Sequence, residues 1–355
     1  MTEKRLGNGA SVAQDEGAWT RRRRILTATA KGFLRVMRAN PLTFVGFIMV
    51  VIIAVLALLI LIVPPISQVL LGHAVSILPS DPVIGDCPPA LYNEAGNCAY
   101  PPSGAHVLGT DNLNRDMFSR VLAALPLDLF IGFTVTGFAL LVGGSLGLVA
   151  GFWDAPRTLG GFVSAVIMRV TDIFLAFPSL VLALAIAASL GRGTGPSILA
   201  ILFTWWPYYV RLVRGEVLAV KHQPYVVAAR AAGVSNLRIL FRHVLRNVIE
   251  PVVVYYTLDV GTVIVTFSTI SFIGIGVPLN VPEWGNMVLG YETYLLSYPW
   301  TILSAGAAIF VTVLALSLLG DGLRDVLDPR SRRVLAQAAV PSALAGLSAA
   351  TTAPG

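Results

Sequence analysis

Long apolar runs separated by short polar stretches dominate this chain. A helix needs about 20 mostly apolar residues to cross the hydrocarbon core of a bilayer. Six stretches approach that length: residues 42–63, 129–150, 173–190, 196–212, 251–273 and 299–319. The pattern therefore predicts an all-α polytopic membrane protein with six transmembrane helices. The fourth stretch contains Pro207 beside Trp205, Trp206, Tyr208 and Tyr209, so it is predicted as a kinked span with interfacial anchors. In the second, Gly143, Gly147 and Gly151 recur every four residues, and Gly132 and Gly137 reduce its bulk further. Small residues at that spacing predict close approach of another helix backbone.

One polar segment, residues 221–250, interrupts the apolar pattern late in the chain. Pro224 suits a first helical turn, because its missing N–H has no partner there anyway, and Gly233 suits the left-handed residue that closes a helix. Ser235 or Asn236 is positioned to cap a second helix. On that helix Leu237, Leu240, Phe241, Val244 and Leu245 are predicted to share an apolar face, with Arg238, Arg242 and Arg246 along another. Two short amphipathic helices hinged at a glycine predict a docking surface for a soluble partner. The alternative is an amphipathic segment lying on anionic lipid.

Composition agrees with a membrane class. The 355 residues are 55% hydrophobic and 12% charged, against about 25% charged in ordinary soluble domains. Assigning the interhelical segments alternately to two sides places 22 Lys and Arg on one and 3 on the other. Under the positive-inside rule both termini and residues 221–250 are cytoplasmic. The net charge of +6 is mostly this bias, and no aromatic-studded basic domain accompanies it, so nucleic acid is not an expected partner. The first span, 22 residues long and followed by Pro64 and Pro65, exceeds a signal-peptide core of roughly 7 to 15 residues and reads as uncleaved.

The domain reading follows: a basic tail over 1–40, a first helix over 41–63, an extracytoplasmic loop over 64–124, a five-helix core over 125–330 that contains the segment 213–250, and a disordered tail over 331–355. Cys87 and Cys98 both fall in the extracytoplasmic loop, where oxidising conditions favour a disulfide over two free thiols. No phosphate loop and no H-E-x-x-H helix occurs, and the four histidines are scattered, so neither ATP hydrolysis by this chain nor a metal centre is expected. Asp128 and Asp172 stand near span ends, where water can solvate them. Asp259 sits mid-span, where an acid is costly. Two roles fit it: a place on a translocation path, or a structural hydrogen bond to a neighbouring helix. A stand-alone secondary transporter using Asp259 is the competing reading of the whole chain.

The segment around Gly233 resembles the EAA loop of binding-protein-dependent ABC importer permeases. Ala228, Ala229 and Gly233 match that pattern, while Val227 replaces its Glu and Arg246 stands where a Pro is usual. L-G-T-D-N-L-N-R-D (108–116), D-I-F-L-A-F-P-S-L (172–180), V-R-L-V-R-G-E-V-L (210–218), S-F-I-G-I-G (271–276), W-G-N-M (284–287) and L-L-G-D-G-L-R-D-V-L-D-P-R (318–330) are similar, in order, to segments of the dipeptide, oligopeptide and nickel permeases, second-permease type with an extra N-terminal helix. The resemblance implies a type I permease fold in a bacterial inner membrane. It also implies a second permease, ATP-binding subunits that hold the ATP and Mg, and an extracytoplasmic solute-binding protein. Tyr225, Ala228, Ala229, Arg230, Gly233 and Leu237 become the expected ATPase contacts, with no cofactor bound by this chain.

Overall fold

A computed structural model describes residues 41–71, 76, 78 and 99–327. Cys87 and Cys98 lie outside the described residues. Residues 46–320 form one compact unit. In a second unit, described over residues 41–45 and 321–327, Gly322 packs against the buried Thr43.

Among the described residues the named elements are helices: α1 (Pro41–Leu71), α2 (Met117–Phe152), α3 (Leu159–Leu175), α4 (Ser179–Leu190), α5 (Thr194–Lys221), α6 (Pro224–Ala231), α7 (Asn236–Ile239), α8 (Leu245–Phe272), α9 (Trp284–Tyr291) and α10 (Pro299–Leu327), with one π turn, Leu240–Val244, joining α7 to α8 and one 3₁₀ turn, Glu292–Tyr294, after α9. Four helical stretches are long and apolar enough to cross a membrane: Pro41–Pro65, Met117–Phe152, Asn236–Phe272 and Pro299–Asp325. The predicted span over 173–190 is not one straight helix. α3 and α4 meet at 83°, because Pro178 has no N–H to continue the helix and itself stands at ψ 120°, outside the helical region. The two together amount to a fifth candidate span. The predicted fourth span lies within α5, a 28-residue helix that contains Pro207. Its aromatic and charged residues leave it too polar to count among those spans, although about 40 Å of helix is ample length.

The glycine stripe does what its spacing predicts. Gly143 lies against the Trp206 carbonyl, and a Cβ on Gly147 would stand 2.7 Å from the Val210 oxygen and 2.9 Å from the Val213 Cβ. A Cβ on Gly151 would stand 2.7 Å from the Val217 Cβ. Backbone therefore meets backbone along the α2–α5 seam. Three apolar clusters fill the compact unit. One gathers Met117, Leu125, Ile264, Trp284, Met287 and Tyr291, and a second packs Ile131, Val135, Trp205, Tyr209, Val263 and Phe267. The third gathers Phe152, Val213 and Val217 with Val226, Ile239, Leu240, Val244 and Val248. This last cluster fixes the glycine-hinged segment to the ends of α2 and α5.

Candidate functional site

The α6 helix begins as its sequence predicts, with Pro224 at its first position, and ends in a Schellman turn. The Val234 N–H donates to the Ala229 carbonyl at 3.1 Å and the Gly233 N–H to the Arg230 carbonyl at 3.0 Å, with Gly233 at φ +75°. Val234 and Ala229 complete the motif by packing against the same apolar cluster. Ser235 takes the N-cap position of α7, but its hydroxyl makes no capping bond.

The second helix of the segment departs from the predicted face. Of the predicted apolar face Leu240 and Val244 are buried, Leu237 and Phe241 are 60% and 62% exposed, and Ile239 and Val248 join the buried set. A π turn follows, closed by the Leu245 N–H on the Leu240 carbonyl. Its i to i+5 bond takes an extra residue per turn, and past it Val244 and Val248 are buried. Tyr225, Val227, Leu237 and Phe241 are all exposed, amid exposed Arg230, Arg238 and Arg242. Val226, on the opposite face of α6, is fully buried. One face of α6 is fixed in the core and the other is apolar, cationic and uncovered.

Polar contacts reinforce this end of the bundle. Lys221 Nζ donates to the Gly151 carbonyl at 2.9 Å, tying the last turn of α5 to the last turn of α2. Burial pulls the Lys221 ammonium below its ordinary range, with Asp154 acting in the other direction. Arg214 pairs with Asp154 at 3.0 Å, and Arg211 with Asp172 at 2.8 Å. Asp172 is solvated as expected.

Asp259 is buried between α8 and α5. Its Oδ2 accepts from the Trp205 indole N–H and the Tyr209 hydroxyl, each at 2.9 Å. The aromatic residues predicted as interfacial anchors thus include two ligands of the mid-span acid. An Asp259→Asn substitution keeps an oxygen for both donors. If the role is structural, uptake in membrane vesicles stays within about twofold of the parent, whereas a loss of more than tenfold at unchanged protein level assigns the charge itself to the path.

At the other end of the bundle the L-G-T-D motif forms a buried polar knot. Asp111 accepts from the Leu113 and Arg115 N–H groups (2.9 and 2.8 Å), from Arg115 Nε (2.6 Å) and from the Tyr291 hydroxyl (2.8 Å), and Arg120 Nε lies 4.0 Å away. Asp116 caps α2 through the Ser119 N–H at 2.8 Å and meets His106 Nδ1 at 2.9 Å. Asp128 is not solvated as its position suggests. It is 1% exposed, because the loop that leads into α9 covers it. Its Oδ2 accepts the Trp284 N–H at 3.3 Å. Glu283 caps α9 through the Gly285 and Asn286 N–H groups at 2.9 and 2.7 Å. Burial pushes the Glu283 carboxyl above its usual range, and those hydrogen bonds act against the shift.

Residues 143–333 match the family model described as the binding-protein-dependent transport system inner membrane component. The chain belongs to this family. It is 39% identical over 231 residues to the dipeptide transport system permease protein DppC of Alkalihalophilus pseudofirmus, covering 65% of this chain and 74% of that one. It is 42% identical to the probable D,D-dipeptide transport system permease protein DdpC of Escherichia coli, covering 65% and 76%. With the glutathione transport system permease protein GsiD of Pectobacterium atrosepticum the figures are 38%, 64% and 74%. Among solved structures, the MetNI methionine ABC transporter in an inward-facing conformation aligns with a TM-score of 0.48 at 17% identity, over 59% of this chain and 97% of that one.

As an inner membrane component of a binding-protein-dependent system, this permease is part of a larger assembly, which sets aside the stand-alone secondary transporter. Its predicted contact residues fall together: Tyr225, Ala228, Arg230 and Leu237 are exposed, Ala229 is half-buried in the Schellman contact and Gly233 makes the turn. Asp259 lies apart from them, in the helix-to-helix hydrogen bonds described above. The sequence reading missed the Asp111 knot and the Asp128–Trp284 contact. For Asp111 the signal was the adjacent acid and base in T-D-N-L-N-R-D, taken only as a family signature. For Asp128 and Trp284, 156 positions apart, no local pattern links the two.

Proposed function

We propose that this permease is one of two related membrane subunits forming the path of an ATP-driven peptide importer, with six crossings and both termini cytoplasmic. ATP and Mg belong to partner ATPases, and an extracytoplasmic binding protein delivers the solute. The observation that carries this reading is the construction of α6: Val226 is anchored in a core shared by the ends of α2, α5 and α8, while Tyr225, Val227, Leu237 and Phe241 are left uncovered. A push on the exposed face moves the ends of three helices together, so the segment is suited to pass ATPase closure to the bilayer-embedded path as a two-state element. The arginine rim favours a protein partner with acidic groups around an apolar cleft. The relatives named for dipeptides and glutathione support short peptides as the solute class.

A cysteine introduced by Ala228→Cys, on the exposed face, tests the docking. In membranes of the complete system we expect it to crosslink to a cleft cysteine of the ATPase, with a yield that changes at least threefold on adding ATP. A nucleotide-independent yield, or crosslinking to lipid probes alone, would remove the coupling role.

A further inference from the structure

A cavity of about 380 Å³ opens where α5 begins and α8 ends, at the far end of α5 from Lys221. That volume falls in the range of small-molecule sites. Its walls are the loop before α5, which carries Arg192, and the loop between α8 and α9, which contributes Val277, Pro278 and Leu279, with Leu289 of α9 behind them. The backbone at Gly274 and Gly276 leaves part of the wall without side chains. The walls are held in place. Asn286 Nδ2 donates to the Pro278 and Val281 carbonyls at 2.9 and 3.1 Å, and the Gly193 N–H donates to the Ile275 carbonyl at 3.1 Å.

Arg192 gives the cavity its chemistry. It is one of three cationic residues assigned to the side of the membrane poor in Lys and Arg, and the other two, Arg115 and Arg120, face Asp111. Arg192 makes no ion pair among the described residues, and no carboxylate lines the cavity. Glu283, close in sequence, is buried against the N–H groups of Gly285 and Asn286. A guanidinium beside apolar walls attracts a carboxylate in bidentate geometry and leaves room for an attached apolar group.

We propose that this cavity receives the C-terminal residue of a peptide, with its α-carboxylate on Arg192 and its side chain against Val277, Leu279 and Leu289. The proposal deepens the peptide-import reading and rests on it. The site selects for a free C-terminus at the outer mouth of the path, after the binding protein has released its cargo.

The test uses the complete transporter in proteoliposomes, with the binding protein saturated, and compares initial uptake of a dipeptide with that of its C-terminal amide. Arg192→Gln is expected to slow the dipeptide about tenfold and the amide less than twofold, with Arg192→Lys in between. Leu279→Trp, at a position 67% exposed and so of little consequence for folding, is expected to slow dipeptides ending in Phe more than those ending in Gly. Uptake unaffected by Arg192→Gln overturns this proposal alone. An equal loss for acid and amide overturns it as well, and points to Arg192 docking the binding protein. Failure of the unsubstituted transporter to move any dipeptide overturns the peptide reading, and this proposal with it.

Discussion

A Gly233→Pro permease is expected to reach the membrane and to lose ATP-driven uptake by more than a hundredfold. Gly233 stands at φ +75° and donates its N–H to the Arg230 carbonyl. Proline fixes φ near −65° and has no N–H, so the Schellman turn cannot form and the direction in which the chain leaves α6 changes. The turn sets the angle between α6 and the helix that becomes α8. Val226 and Ile239 sit on either side of it in one core, and both cannot stay seated once the angle changes. Gly233→Ala separates backbone conformation from bulk. Nothing lies within 4 Å of a Cβ built there, so the cost is the left-handed strain alone, about 1–2 kcal/mol. We expect Gly233→Ala to retain assembly with the ATPase and to lose two- to fivefold in uptake. Co-purification of the ATPase with each variant, measured beside uptake, distinguishes loss of docking from loss of transmission. Normal uptake by Gly233→Pro would overturn the role of the turn.

That turn was legible in the sequence because its signals are local: a proline to start α6, a glycine to end it, and apolar residues between. The glycine stripe was legible for a similar reason, since spacing by four places Gly143, Gly147 and Gly151 on one face whatever the tertiary context. The π turn was not. Its extra residue shifts the register by part of a turn, and no residue type in L-F-R-H-V marks it, so an ideal helical period groups Leu237 and Phe241 on one face with Leu240 and Val244, which alone of these four are buried. The bend at Pro178 was announced by the proline, but the long apolar run around it outweighed that signal. Asp128 shows the deeper difficulty. Its position near a span end suggested water, and the loop that covers it returns from residue 283, a contact that hydropathy along the chain cannot express.

The Asp111 knot is where loss of one carboxylate should cost the most stability. Asp111 is fully buried and serves two backbone N–H groups, the Arg115 guanidinium and the Tyr291 hydroxyl, with the buried Arg120 at 4.0 Å. Burial pushes the Tyr291 phenol up, so it remains a neutral donor to the carboxylate across the working pH range. Removing one partner of a buried pair leaves the other charge uncompensated, at about 3–5 kcal/mol. Asp111→Ala does this to two arginines and frees the last residue of α9 as well. For a unit of this size we expect the melting temperature of the purified permease complex to fall by roughly 10 °C or more. Asp111→Asn keeps an oxygen for the backbone donors and loses only the charge, so its drop should be about half as large. A cycle with Arg115→Met isolates the ionic part, since in an Arg115→Met background the step from Asp to Asn removes one charged neighbour fewer and should cost less. If Asp111→Ala melts within 2 °C of the parent, the knot does not hold α9 to the start of α2. The Trp300 bond to the Thr110 carbonyl, at 3.0 Å, would then be the contact that fixes this loop against the helices.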